Sequence, residues 1–422
     1  MKTKLQSIAL ALALTGCLTL AQAQNPKGDH WVSTWTTAQL LARTAPPPAA
    51  PAAAQPPRTP QAVGARGFNN QTVRMIVRTS IGGRRARVKI ANAFGGASVT
   101  VGAAHIAVRS KGSEIVAGSD RPLSFNGKPG CMVGPGMVIL SDPVDLEIPQ
   151  VGDVAVSLYF PGETGPPTTH ATGLHNAYIK DGDATAQPAM ADAMTTQSYY
   201  FLAGVDVLAP RRDALIVAYG DSITDGARST PETDHSWPAL LAARFGSKKK
   251  PAAFAIGNMG IGGNRVLRDG TGSSALARFD RDVLGQSGVA WVMLLEGIND
   301  IGRMATVPAE AVTADELIGA YKQLIERAHT HGLKIAGCTL LPFQGASYYR
   351  EPGEAVREAV NNWIRTSGAF DAVVDFEAAT RDPANPKRIK PEFDPGDHLH
   401  PNDAGYQAMA NAVDLQIFNR KK

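Results

Sequence analysis

The chain has 422 residues, 44% of them hydrophobic and 19% charged, with 42 Gly and 29 Pro. Single hydrophobic cores rarely grow past roughly 250 to 300 residues, so this length predicts more than one domain, and the apolar content excludes disorder throughout. Lys plus Arg total 42 against 38 Asp plus Glu, a formal +4, without the concentrated basic field that nucleic-acid binding needs. The runs Lys248, Lys249, Lys250 and Arg420, Lys421, Lys422 read as solvated surface.

Lys2 and Lys4 precede an apolar stretch from Ile8 to Leu20, which ends in Ala21, Gln22, Ala23 and the polar Gln24 and Asn25. A charged start, an apolar centre and a small-x-small ending describe a secretory signal over residues 1–23, cleaved after Ala23. Leu14-Thr15-Gly16-Cys17 also resembles a lipobox, but apolar residues continue past Cys17, so free export to the periplasm or medium is the favoured reading. No later window supplies around twenty apolar residues, and no transmembrane segment is expected. Cys131 and Cys338 would then remain, too few for a disulfide framework; Cys338, within Ile335–Leu340, reads as a buried strand thiol.

Residues 24–64 form an N-terminal segment whose Ala45–Pro60 stretch, with seven prolines among alanines, predicts an extended surface loop. The strand around Trp31 fits either domain that follows. Val73, Met75 and Val77 alternate with Arg74, Ile76 and Arg78; Ala86, Val88 and Ile90 and then Val154, Val156, Leu158 and Phe160 repeat the period of two. Turn signals at Gly82-Gly83, Gly95-Gly96, Asn126-Gly127 and Gly152-Asp153 separate these runs. Residues 65–208 are therefore expected to form an all-β sandwich.

After Pro210 the pattern changes. Ala214–Tyr219, Val289–Leu295 and Lys334–Thr339 are the continuous runs of strands buried on both faces of a parallel sheet. Between the last two, Thr313 and Glu316 form a capping-box pair ahead of Leu317, Ala320, Tyr321, Leu324 and Ala328, an amphipathic helix. Alternating strands and helices predict a three-layer α/β domain over residues 211–422.

In such a sheet, chemistry collects where strands end. The first run ends in Gly220-Asp221-Ser222, where a serine hydroxyl can be exposed and its N–H aimed at a developing oxyanion; a plain turn has the same composition. The next loop, Asn258-Met259-Gly260-Ile261-Gly262-Gly263-Asn264, fails the dinucleotide frame because Arg265 stands where glycine is needed, and no phosphate-binding P-loop sequence occurs. Glu296-Gly297-Ile298-Asn299-Asp300 follows the third run; Asn299 can donate to an anionic oxygen, and Asp300 can cap the following helix. Near the end, Asp397 and His400 are spaced to present an imidazole with its orienting carboxylate. His398 and His400 with Asp394 or Asp397 are also metal-ligand types, but ligands this close in one loop make poor tetrahedral geometry, so no metal and no cofactor is expected. His329 and His331 end a helix and need no ligand to explain them.

In this order, Gly-Asp-Ser, Asn-x-Gly-x-x-Gly, Gly-x-Asn-Asp and Asp-x-x-His-Pro resemble the SGNH hydrolases, the GDSL esterase/lipase family, over the C-terminal half. The resemblance implies a flavodoxin-like α/β/α fold with Ser222 as nucleophile, Asp397 and His400 completing a triad, and Ser222, Gly263 and Asn299 forming the oxyanion hole. Asp221, Asn258 and Asp300 would support them. Consistently, Ser222 is followed by Ile223-Thr224, so the G-x-S-x-G elbow of α/β-hydrolases fails at its last glycine. Trp31-Val-Ser-Thr-Trp35, Asn70–Gly83 and Ser236-Trp237-Pro238 resemble a two-domain secreted branch with xylan-esterase-like members. The implied activity is hydrolysis of a small-molecule or polysaccharide ester, with removal of acetyl groups from carbohydrate ahead of lipase, lysophospholipase or arylesterase action. A carbohydrate-binding surface protein with an inactive hydrolase half is the reading of another class.

Overall fold

The computed structural model describes residues 28–41, 66–247 and 254–418. The expected secretory signal with Cys17, the Pro-rich stretch and the runs Lys248–Lys250 and Arg420–Lys422 lie outside these. Among the described residues, no helix is long and apolar enough to cross a membrane.

Two antiparallel sheets form the N-terminal half. Strands β1 (Asp29–Thr36), β2 (Gln71–Arg78), β3 (Gly83–Ala91), β4 (Ala103–Val108), β5 (Val144–Ile148), β6 (Asp153–Phe160), β7 (Ala177–Asp181) and β8 (Leu202–Pro210) are its longer members. One sheet runs β1-β8-β3-β5; the other contains β7-β2-β6-β4 with short strands at its edges. The strand around Trp31, which the sequence leaves unassigned, pairs along β8, Trp31 facing Leu208 and Trp35 facing Val205. The alternation in β2 predicts an outward-facing Arg74, yet Arg74 is fully buried. Loops cover that face and supply its acceptors: Ser157 Oγ at 2.9 Å and the carbonyls of Ser113 and Gln187, each at 2.7 Å. A buried guanidinium is tolerated when its donors are satisfied in this way.

The C-terminal half is built on five parallel strands: β9 (Ala214–Gly220), β10 (Phe254–Gly260), β11 (Val289–Leu295), β12 (Lys334–Cys338) and β13 (Ala372–Val374). Their order, β10-β9-β11-β12-β13, is the flavodoxin-like 2-1-3-4-5 arrangement. Every residue of β9 is buried, as its unbroken apolar run predicts, and Cys338 is a buried strand thiol. The helices are α1 (Ser222–Asp225), α2 (Trp237–Gly246), α3 (Ala275–Phe279), α4 (Ile298–Arg303), α5 (Ala314–Thr330), α6 (Glu351–Thr366), α7 (Phe376–Thr380) and α8 (Asp403–Ala412). Helices α2, α7 and α8 pack together, as do α3, α5 and α6. The Thr313–Glu316 capping box starts α5 and buries Leu317, Ala320, Tyr321, Leu324 and Ala328 against the sheet.

One continuous apolar core runs through both halves. Their seam carries an ion network: Arg109 joins Asp153 at 3.1 Å and Glu232 at 2.9 Å, and Arg78 joins Asp153 at 3.0 Å and Asp234 at 3.3 Å. Buried His175 completes it, 2.8 Å from Asp234 and 3.6 Å from Glu232, the second an ion-pair distance rather than a hydrogen bond. Burial would lower the His175 pKa, but the two carboxylates outweigh it and raise it to about 9. An unfolded histidine titrates near 6.5, so this pair contributes its full stability below about pH 6.5 and loses it as pH rises through about 9. Thermal unfolding measured across that window should therefore show a decline in Tm that His175→Gln lacks; an identical decline in the variant would place its cause elsewhere.

Candidate active site

Ser222 stands immediately beyond β9 and opens α1. Asp221 caps this turn, its carboxylate accepting the Ile223 N–H at 2.9 Å, an interaction worth about 1 kcal/mol. Gly226, at φ +104°, closes it and returns its N–H to the Ser222 carbonyl at 3.0 Å. So short a helix is pressed onto the strand ends, and two glycines make room: a Cβ on Gly220 would sit 2.2 Å from Thr224 Oγ1, and one on Gly260 would sit 2.2 Å from the Asp225 nitrogen.

The loop before α8 brings the imidazole across. His400 Nε2 lies 2.8 Å from Ser222 Oγ, and His400 Nδ1 lies 2.9 Å from Asp397 Oδ2. Asp397 also accepts the backbone N–H groups of Leu399 at 3.1 Å and His400 at 3.0 Å, and Arg228 Nε at 2.9 Å. Burial would raise the Asp397 pKa, but these donors outweigh it and hold it down at about 2. A charged carboxylate at Nδ1 requires a proton on that nitrogen, which leaves the Nε2 lone pair of the neutral ring facing the Ser222 hydroxyl.

Gly263 lies in the loop after β10, with φ +76°. The N–H groups of Ser222 and Gly263 have no protein acceptor among the described residues. Asn299, second residue of α4, spends one amide hydrogen on the Asn264 carbonyl at 2.9 Å, which orients the amide and leaves its other hydrogen available. Tyr348 reaches the Asn299 Oδ1 atom at 3.4 Å. Gly263 and Asn299 line an open cavity of about 460 Å³ together with Arg265, Thr271, Arg303 and Tyr348.

The three supporting positions are all at this end of the sheet. Asn258 donates to the Thr224 carbonyl at 2.9 Å and accepts the Gly260 N–H at 2.9 Å, tying α1 to β10. Asp300 is not the helix cap that the sequence suggests: Gly297 occupies that position, and Asp300 turns back to accept the N–H groups of Val266 at 2.7 Å and Leu267 at 3.0 Å. It therefore anchors the loop that follows Gly263. Burial raises the Asp300 pKa to about 6, and the Val266 and Leu267 bonds only partly offset it.

Sequence reasoning missed the layer underneath. Fully buried Arg278 donates to the carbonyls of Gly220 at 2.9 Å and Met259 at 2.8 Å, to Asn264 Oδ1 at 2.9 Å and to Asp282 at 3.0 Å, with its guanidinium 4.1 Å from the centre of the Tyr219 ring. Glu296, 3.6 Å from Arg278, is wholly buried, and its pKa is held well above the usual carboxylate range by burial and by neighbouring Asp221. The spacing of Arg278 and Asp282 was a legible signal of a pair; that it lies beneath Ser222 was not.

The proposed metal-type residues form two separate pairs, His400 with Asp397 and His398 with Asp394 at 2.5 Å. Among the described residues, Asp153, His175 and Asp234 alone cluster with ligand spacing. Arg78 and Arg109 already engage both carboxylates there, which leaves them poorly suited to a cation.

Removing one partner from a buried ion pair typically costs about 3–5 kcal/mol, so Arg278→Met should lose about that much in urea unfolding and lower kcat as well. A variant as stable and active as the wild type would remove Arg278 from the support of the site.

Residues 218–408 match the family model of the GDSL-like lipase/acylhydrolases. An acetylxylan esterase from Geobacillus stearothermophilus is 27% identical over 213 residues, covering 47% of this chain and 91% of that protein. Among solved structures, an acetylxylan esterase from the same organism aligns at 22% identity over 49% of this chain and 95% of its own, with a TM-score of 0.39. A GDSL-like lipase from Bacteroides thetaiotaomicron aligns at 21% identity over 48% and 87%, with a TM-score of 0.37. The parallel-sheet half is thus a GDSL-like lipase/acylhydrolase domain of the SGNH type, and the chain is a carboxylic ester hydrolase.

Proposed function

We propose that this chain is an exported serine esterase that removes short acyl groups, acetyl foremost, from carbohydrate through an acyl-enzyme on Ser222. The hydrogen-bonded line from Ser222 through His400 to Asp397 carries the proposal. His400 Nε2 takes the hydroxyl proton as Ser222 Oγ attacks the ester carbonyl. The N–H groups of Ser222 and Gly263 and the spare amide hydrogen of Asn299 stabilise the tetrahedral oxyanion. Collapse expels the alcohol, which takes the proton from His400. Water, deprotonated by the same imidazole, then frees the acid and restores Ser222. Asp397 keeps the ring in its reactive tautomer throughout.

The substrate class rests on two supports. The cavity beside Gly263 and Asn299 is lined by Arg265, Arg303, Thr271, Thr306 and Tyr348, groups that suit a hydroxyl-rich alcohol better than a long acyl chain. The curated relative reported above is an acetylxylan esterase. The leader-like segment ending at Ala23 supports export.

Ser222→Ala should abolish turnover and leave the fold intact by circular dichroism. Asn299→Ala should lower kcat on the order of 10²- to 10³-fold, the scale for one oxyanion donor; wild-type kcat would remove Asn299 from the site. A panel running from acetyl to palmitoyl esters, with acetylated xylan included, should show activity falling with chain length; a preference for palmitoyl would overturn the carbohydrate reading in favour of a lipase.

A further inference from the structure

A buried pair joins the active-site turn to the sandwich half. His170, in the short strand Thr168–His170, is almost wholly buried. Its Nδ1 lies 2.8 Å from the Ala38 carbonyl; its Nε2 lies 2.9 Å from Asp225 Oδ1 and 3.2 Å from the Thr172 carbonyl. Carbonyls and carboxylates only accept, so both ring nitrogens must donate, and the ring is an imidazolium. A neutral ring would turn a lone pair toward one of these oxygens. The Tyr199 ring stacks alongside, and His175, Asp234 and Arg78 are the other charged or titratable groups around the cavity of about 100 Å³ that His170 and Asp225 share.

Asp225 is the last residue of α1, three positions after Ser222. Its N–H bonds back to the Asp221 carbonyl at 2.9 Å, and its backbone packs where a Cβ of Gly260 would stand. Its second carboxylate oxygen points toward Gly262, coming 3.9 Å from the place a Cβ would take there, beside the loop that carries Gly263. One carboxylate thus belongs to the turn bearing the hydroxyl and lies near the loop bearing an oxyanion donor. Its counter-ion comes from the other half of the chain.

We propose that His170 is a positioning residue for Ser222: the sandwich supplies the cation that fixes Asp225 and, through it, the turn that aims the hydroxyl at His400. The inference rests on Ser222 being the nucleophile. It assigns the sandwich half a role in the chemical step that is independent of any substrate it binds.

The test uses the full chain with His170→Gln, His170→Ala, Asp225→Asn and the double variant His170→Gln/Asp225→Asn, whose neutral amides can restore the hydrogen bond. For each, kcat and KM for p-nitrophenyl acetate and the rate of Ser222 phosphonylation by a serine-directed phosphonate are measured on protein shown folded by circular dichroism. Misplacing a reacting group by about 1 Å costs up to about 10²-fold, so His170→Ala and Asp225→Asn should each lose roughly 10- to 100-fold in both kcat and phosphonylation rate, with KM little changed. The double variant should recover most of that loss. Wild-type kcat and phosphonylation in folded His170→Ala and His170→Gln, whatever their Tm, would overturn the proposal, as would single and double variants that fall equally. Activity retained by Ser222→Ala would instead overturn the nucleophile assignment beneath it.

Discussion

The site depends on one buried guanidinium. Parallel strands end with carbonyl oxygens that no neighbour satisfies, and here three such ends carry Ser222, the Gly263 loop and Asn299. Arg278 gathers the carbonyls at the ends of β9 and β10 and the side chain of Asn264 into one planar fork. Its own desolvation is offset by Asp282 and by the face of Tyr219. Above this base the glycines at 220 and 260 let α1 settle directly on the sheet, so the position of the hydroxyl is set by packing rather than by a free loop.

Much of this was written in local sequence. The apolar runs of β9, β11 and β12 gave a parallel sheet because strands covered on both faces have no polar alternation to show, and the capping box of α5 is a short-range hydrogen-bond pattern. The Asp397–His400 spacing was legible for the same reason, both groups belonging to one loop. The parts that were not legible are long-range. Nothing near Arg74 says that loops some forty and more than a hundred residues away will cover it, and nothing near Asp300 says that it will turn away from its own helix to hold Val266. The Trp31 strand could not be assigned because its pairing with β8 spans most of the sandwich.

The two halves behave as one body at their seam. Arg78, Arg109 and His175 of the sandwich meet Glu232 and Asp234 of the loop that leads from α1 to α2, while His170 meets α1 itself. Surface ion pairs contribute little, but these are largely withdrawn from solvent and share partners, the setting in which charge pairs fix geometry. A sandwich fused in this way borders the turn that presents Ser222.

In the proposed reaction Ser222 and His400 act as a unit on a bound ester. The most direct measurement of this is mass mapping of the enzyme after reaction with a phosphonate ester analogue, carried out on wild type and on His400→Ala. The wild type should carry a single adduct on the peptide containing Ser222, and the variant should label the same residue far more slowly. An adduct on another residue with loss of activity, or full hydrolysis by enzyme that remains unlabelled at Ser222, would contradict it.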